Sequence, residues 1–112
     1  MFKTNTPNGK IPTGVPIVDS LLEGGMPKGS SILLRAHPLA DPLTMAIQFL
    51  HNRLKNGGIG LYFVNNKSPV SVIEESRASG LSLAEFKGQG RLFFIDAYSG
   101  LFGIKSDELY AV

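Results

Sequence analysis

A stretch that could bind phosphate lies between residues 31 and 44. An apolar run leads through a short polar, proline-containing turn into an amphipathic segment. In this order of strand, loop and helix, backbone N–H groups hold a phosphate when the loop reads Gly-x-x-x-x-Gly-Lys-Ser/Thr. The residues that would carry this chemistry are replaced: the two glycine positions, the lysine position and the hydroxyl position hold Ala36, Asp41, Pro42 and Leu43.

Asp41 and Pro42 suit the start of a helix better than a phosphate site. Aspartate is a favoured N-cap, and proline is favoured at the first helical position because an N–H has no helical partner there. A helix N-terminus binds an anion through free N–H groups and the positive end of its dipole. Pro42 removes one donor and Asp41 adds a negative charge that repels phosphate. The two residues therefore predict a helix start without a bound nucleotide.

Several ordered segments resemble the first half of the core domain of RecA-like ATPases, in the KaiC and RadA-like branch of that superfamily. Residues 13–30 follow the branch's pattern Thr-Gly-x-x-x-x-Asp-x-Leu-Leu-x-Gly-Gly-x-Pro-x-Gly-Ser nearly position by position. Residues 46–50, 68–69 and 95–100 resemble later segments at the expected spacing, so that the match covers about residues 11–103. The resemblance implies an α/β fold, part of a three-layer RecA-like core with a parallel sheet.

The resemblance places the family's functional residues on positions that have changed type. Its Walker A residues align with the four positions named above, none of which matches. Its acidic pair, which helps to activate the attacking water, aligns with Asn66 and Lys67. A general base must accept a proton, which neither asparagine nor a protonated lysine does. We therefore predict that the chain has no catalytic residue, no nucleotide cofactor and no metal ion.

Apolar periodicity predicts alternating strands and helices, which favours a parallel sheet with right-handed crossovers. Helices are predicted over residues 17–23, 42–56 and 69–79, and core strands over residues 31–35, 59–64 and 91–96. Ser68 is expected to cap the third helix, and residues 82–85 have the spacing of a capping box that starts a short fourth helix. We assign residues 1–10 to a flexible N-terminal arm and residues 11–112 to the core domain.

Composition excludes several classes of protein. The chain has 112 residues, 43% of them hydrophobic and 18% charged, as in one globular unit. It contains no cysteine, which excludes disulfides, thiolate nucleophiles and cysteine-bound metals. No apolar run is long enough to span a bilayer, and a cytoplasmic location is expected. The net charge of +2 comes from scattered lysines and arginines, so nucleic-acid binding has only weak support.

A few isolated side chains are candidates for binding. His37 and His51 are the only histidines, and they lack the spacing of a metal site. Asp96 ends a predicted strand, where ligands bind in open α/β sheets. The favoured interpretation of Asp96 is nevertheless a cap that orders the following turn. Tyr98 and Phe102 would either pack against a partner or close the core.

The segment that would carry the family's Walker B aspartate has no counterpart, because residues 101–112 contain no long apolar run followed by aspartate. Three core strands would leave an apolar edge open, so the sequence is expected to be either part of a longer product or a shortened protein whose edge is covered by a partner or by a second copy. We expect the chain to associate with itself or with a partner. Our first hypothesis is a non-catalytic RecA/KaiC-like module that acts through protein–protein contacts, with itself or with an active ATPase paralogue. The alternative is an ATP-binding RecA/KaiC-like protein with a role in DNA recombination, DNA repair or signalling. Fold alone does not decide between them.

Overall fold

Short strands and helices alternate along the chain in the computed structural model, which describes residues 9–35, 37, 42–108 and 110–111. The elements are, in chain order, β1 (Lys10–Ile11), α1 (Pro16–Leu21), β2 (Met26–Pro27), α2 (Pro42–Lys55), β3 (Gly60–Val64), α3 (Pro69–Ala78), α4 (Ala84–Gly88), β4 (Leu92–Asp96) and β5 (Tyr110–Ala111). A 3-10 turn, Ser99–Phe102, lies between β4 and β5. The chain divides into two units between residues 58 and 59.

The described residues of the first unit form a two-stranded antiparallel sheet and two helices. β1 pairs with β2 in antiparallel orientation, with Lys10 opposite Pro27. The ammonium group of Lys10 donates to the carbonyl oxygens of Leu22 and Glu23 at 3.0 and 3.1 Å. These contacts join the beginning of the described chain to the end of α1.

α2 confirms the prediction of a long amphipathic helix. It begins at Pro42 and ends at Lys55, with basic residues in its last turn, where cations interact favourably with the helix dipole. Ile47 and Leu54 are buried. Gly57 follows the helix with a φ of 93°, a conformation that glycine adopts without strain.

The second unit holds a parallel three-stranded sheet in the order β3-β4-β5. β3 and β4 pair along their whole length, from Gly60 opposite Leu92 to Val64 opposite Asp96. β5 adds a short third strand on the other side of β4. The predicted α/β class with a parallel sheet is confirmed, and this arrangement is consistent with a partial RecA-like core.

The core of the second unit follows from the alternation of side chains along its strands. In β4, Leu92 and Phe94 are buried, whereas Phe93 and Ile95 on the opposite face are partly exposed. The ammonium group of Lys87 in α4 lies 5.5 Å from the ring centre of Phe94, which places α4 on the buried face. This face of the sheet is therefore covered by helical segments that follow β3.

One of the two predicted caps of the later helices is confirmed and the other is wrong. The side chain of Ser68 caps α3 by accepting a hydrogen bond from the N–H of Ser71 at 3.2 Å. The capping box at residues 82–85 does not form, because Leu83 is the N-cap of α4. Leu83 is fully buried, and its N–H donates to the hydroxyl of Ser76, so packing rather than side-chain capping sets the start of α4.

The predicted first core strand, residues 31–35, is wrong in this structure. These residues adopt no regular secondary structure, and Leu33 is 83% exposed. A strand requires a neighbour that accepts and donates its backbone hydrogen bonds. β4 has β3 on one side and β5 on the other, and β5 comprises only two residues. The apolar run at 31–35 pairs with no strand that the structure describes, and its hydrophobicity alone does not make it a strand.

Candidate functional site

The carboxyl ends of β3 and β4 lie side by side and form the edge at which open α/β sheets bind ligands. Val64 and Asp96 are paired at this edge, and the N–H of Ala97 donates to the carbonyl oxygen of Val64 at 2.9 Å. The chain leaves the sheet at this edge in two loops, residues 65–68 after β3 and residues 97–99 after β4. The side chains of these two loops define the candidate site.

Asp96 is the central carboxylate of this edge and is only 1% exposed. Its Oδ1 accepts hydrogen bonds from the N–H groups of Tyr98 and Ser99 at 3.0 and 2.9 Å. Its Oδ2 accepts from the hydroxyl groups of Ser99 and Ser106 at 2.6 and 2.5 Å. Both oxygens are thus engaged in charge-assisted hydrogen bonds with neighbouring chain.

The pKa of Asp96 reflects this arrangement. Burial raises the pKa, but the hydroxyl groups of Ser106 and Ser99 and the N–H groups of Ser99 and Tyr98 outweigh it and lower the pKa from 3.8 to about 2. A carboxylate with so low a pKa is a poor general base at neutral pH. The interpretation of Asp96 as a cap that orders the following turn is confirmed.

Asp96 also holds the segment that leads into β5. Ser106 donates to Asp96 and accepts from the N–H of Glu108 at 3.1 Å, and the carboxylate of Glu108 pairs with Lys87 of α4. Sequence reasoning did not find Ser106 or Glu108, because they lie ten or more residues after Asp96 in a segment without periodicity. The contacts of Ser106 and Glu108 with Asp96 and Lys87 form only in the folded chain, where this segment returns to the sheet.

The two positions that the resemblance assigns to an acidic pair lie in the loop after β3. Asn66 is exposed to solvent. The ammonium group of Lys67 binds both carboxylate oxygens of Glu75 on α3, at 2.9 and 3.1 Å, with the two side chains 27% and 46% exposed. Burial, and then the charge of Glu75, raises the pKa of the Tyr62 hydroxyl. The loop therefore presents an amide and an engaged cation where the family has acids.

The positions of the phosphate-binding loop are described only in part. Ala36 and Asp41 lie outside the described residues, so the predicted Asp41 cap remains a prediction. Pro42 is the first residue of α2, as predicted, and contributes no N–H there. Leu43 follows it as a half-buried apolar residue at the position of the expected hydroxyl. The residue types at the start of α2 thus offer fewer phosphate contacts than a Walker A loop.

A structural role explains the most family-like motif, Thr-Gly-x-x-x-x-Asp. The carboxylate of Asp19 accepts from the N–H and the hydroxyl of Thr13, both at 2.7 Å, and from the N–H of Gly14 at 3.2 Å. From α2, Gln48 donates to the carbonyl oxygen of Gly14 at 3.0 Å, and Asn52 donates to the carbonyl oxygen at residue 12. Asp19 and α2 hold this loop in place, so the residues of the motif have a structural role. The i, i+4 spacing of Gln48 and Asn52 on α2 was the signal that sequence reasoning overlooked.

Two further features bear on the class of site. Among the described residues, no group of three or more His, Cys, Asp or Glu side chains is arranged to hold a metal ion. None of the helices in the described ranges is long and apolar enough to cross a membrane.

Comparison with known proteins places this geometry in a family context. A family model described as "ATPase: KaiC" matches residues 11–110. A UPF0273 protein of Pyrobaculum aerophilum is 32% identical over 104 residues, with 92% of this chain and 37% of that protein aligned. A UPF0273 protein of Thermotoga maritima is 29% identical over 104 residues, with 92% and 43% aligned. A circadian clock oscillator protein KaiC of Parasynechococcus marenigrum is 30% identical over 89 residues, with 79% and 17% aligned. The chain spans about two fifths of the length of the UPF0273 relatives.

Proposed function

The chain belongs to the KaiC-type family of RecA-like ATPases, and on that premise we propose that it is a non-catalytic member that acts through protein–protein contacts. The observation that carries the proposal is the ion pair of Lys67. At a position where the resemblance expects an acid, the chain has an ammonium group bound by Glu75 at 2.9 and 3.1 Å. A protonated lysine has no lone pair with which to take a proton from water.

Asp96 does not replace the missing base. Its two oxygens are occupied by four donors, and its pKa of about 2 leaves it little affinity for a proton at neutral pH. Moving Asp96 toward a substrate would break hydrogen bonds that order the turn after β4. The carboxylate is therefore assigned to the architecture of this edge.

The start of α2 supports the same proposal for nucleotide binding. A Walker A loop holds phosphate through backbone N–H groups and a lysine, and its hydroxyl binds Mg²⁺. In this chain, proline occupies the lysine position and leucine the hydroxyl position. Neither residue supplies the positive charge or the Mg²⁺ ligand that the binding of ATP requires.

We propose a second copy of the chain, or an active ATPase of the same family, as the protein partner. A domain that keeps the fold of a family but lacks its catalytic residues acts through contacts that its surface makes with other proteins. The alternative function, nucleotide binding in DNA recombination, repair or signalling, is favoured by the description of the family as ATPases. The two functions differ in whether the chain binds ATP, and any turnover of ATP would in addition contradict a non-catalytic role.

A phosphate-release assay on the full chain with Mg-ATP tests the proposal. We expect no release above that of buffer, with an active ATPase of the same family as the positive control. Variants Asn66→Ala and Lys67→Ala serve as matched controls, since both residues are at least partly exposed. Turnover that follows the chain through purification and changes tenfold or more in either variant would contradict the proposal that the chain is non-catalytic.

Sedimentation velocity tests the part of the proposal that concerns protein–protein contacts. The chain is expected to form dimers or larger species, either alone at micromolar concentration or after addition of the family ATPase. A chain that stays folded and strictly monomeric in both mixtures contradicts an action through these partners.

A further inference from the structure

We draw no further inference here: the strongest candidate, the apolar face of the parallel sheet on which Leu61, Phe63, Phe93, Ile95 and Tyr110 lie, carries none, because nothing in the structure shows what covers it.

Discussion

Replacing Asp96 with alanine is expected to lower the free energy of unfolding by about 3 kcal/mol, because hydrogen bonds to a charged group contribute about 1.5–3 kcal/mol and unpaired buried donors add a further penalty. The variant leaves two N–H groups and two hydroxyl groups without their acceptor at the end of β4. The loss should fall on the turn after β4 and on the segment that leads to β5. Urea unfolding followed by circular dichroism measures the first effect, and hydrogen exchange of residues 92–108 measures the second.

Two variants serve as controls for Asp96→Ala. Asp96→Asn keeps an acceptor for the N–H groups of Tyr98 and Ser99 while removing the charge, so that it should cost about half as much. Asp107→Asn removes a charge from an exposed aspartate nearby and should change stability by less than about 0.5 kcal/mol. Equal effects of Asp96→Ala and Asp107→Asn would show that Asp96 does not anchor this loop.

The pH dependence of stability follows from the same carboxylate. The pKa of Asp96 is lower in the folded chain, at about 2, than its ordinary value of 3.8, so the folded chain binds its proton less readily. The stabilisation is complete above pH 3.8 and is lost as the pH falls through about 2. The acid part of the stability curve should therefore be less steep in Asp96→Asn than in the natural chain.

Replacing Gly25 with alanine is expected to cost about 3 kcal/mol or to prevent folding of the first unit, since steric strain and a left-handed backbone each contribute. Gly25 has a φ of 134°, and an added Cβ would lie 2.3 Å from the carbonyl oxygen of Ile11. That oxygen belongs to β1, which is fixed by its pairing with β2. The backbone at this point has no flexible side chain that could give way.

Gly29→Ala is the matched control for Gly25→Ala. Gly29 also has a positive φ, of 80°, but no atom lies within 4 Å of an added Cβ. Only the backbone strain applies, with a cost of about 1 kcal/mol. Urea unfolding of both variants separates the two contributions, and a Gly25→Ala chain as stable as Gly29→Ala would contradict the close approach of β1.

Local chemistry predicted much of the fold. The serine at residue 68, followed by proline, marks the start of α3, and Gly57 marks the end of α2. The apolar runs at 59–64 and 91–96 contain two neighbouring strands of the sheet, since parallel strands with an apolar face on each side have a recognisable composition. Such signals are contained within a few residues of the element that they predict.

The parts that sequence reasoning missed depend on distant partners. Residues 31–35 have the composition of a strand, but pairing decides whether a strand forms. β5 is two residues long and carries no periodic pattern. In the candidate site, the position of Asp96 was predicted from the end of its strand, whereas its contact with Ser106 spans a loop. The capping-box spacing predicts a start of α4 one residue too early, because the burial of Leu83 fixes the start instead.

Calorimetric titration of the full chain with Mg-ATP tests the central claim, that the nucleotide chemistry of the family is lost. We expect no saturable binding tighter than roughly millimolar, which corresponds to about −4 kcal/mol. The double variant Asp41→Gly with Pro42→Lys should recover little affinity, because Ala36 lacks the conformational freedom of glycine for close approach to phosphate. Micromolar binding of Mg-ATP by the natural chain, abolished by changes at Asp41 and Pro42, would contradict the account.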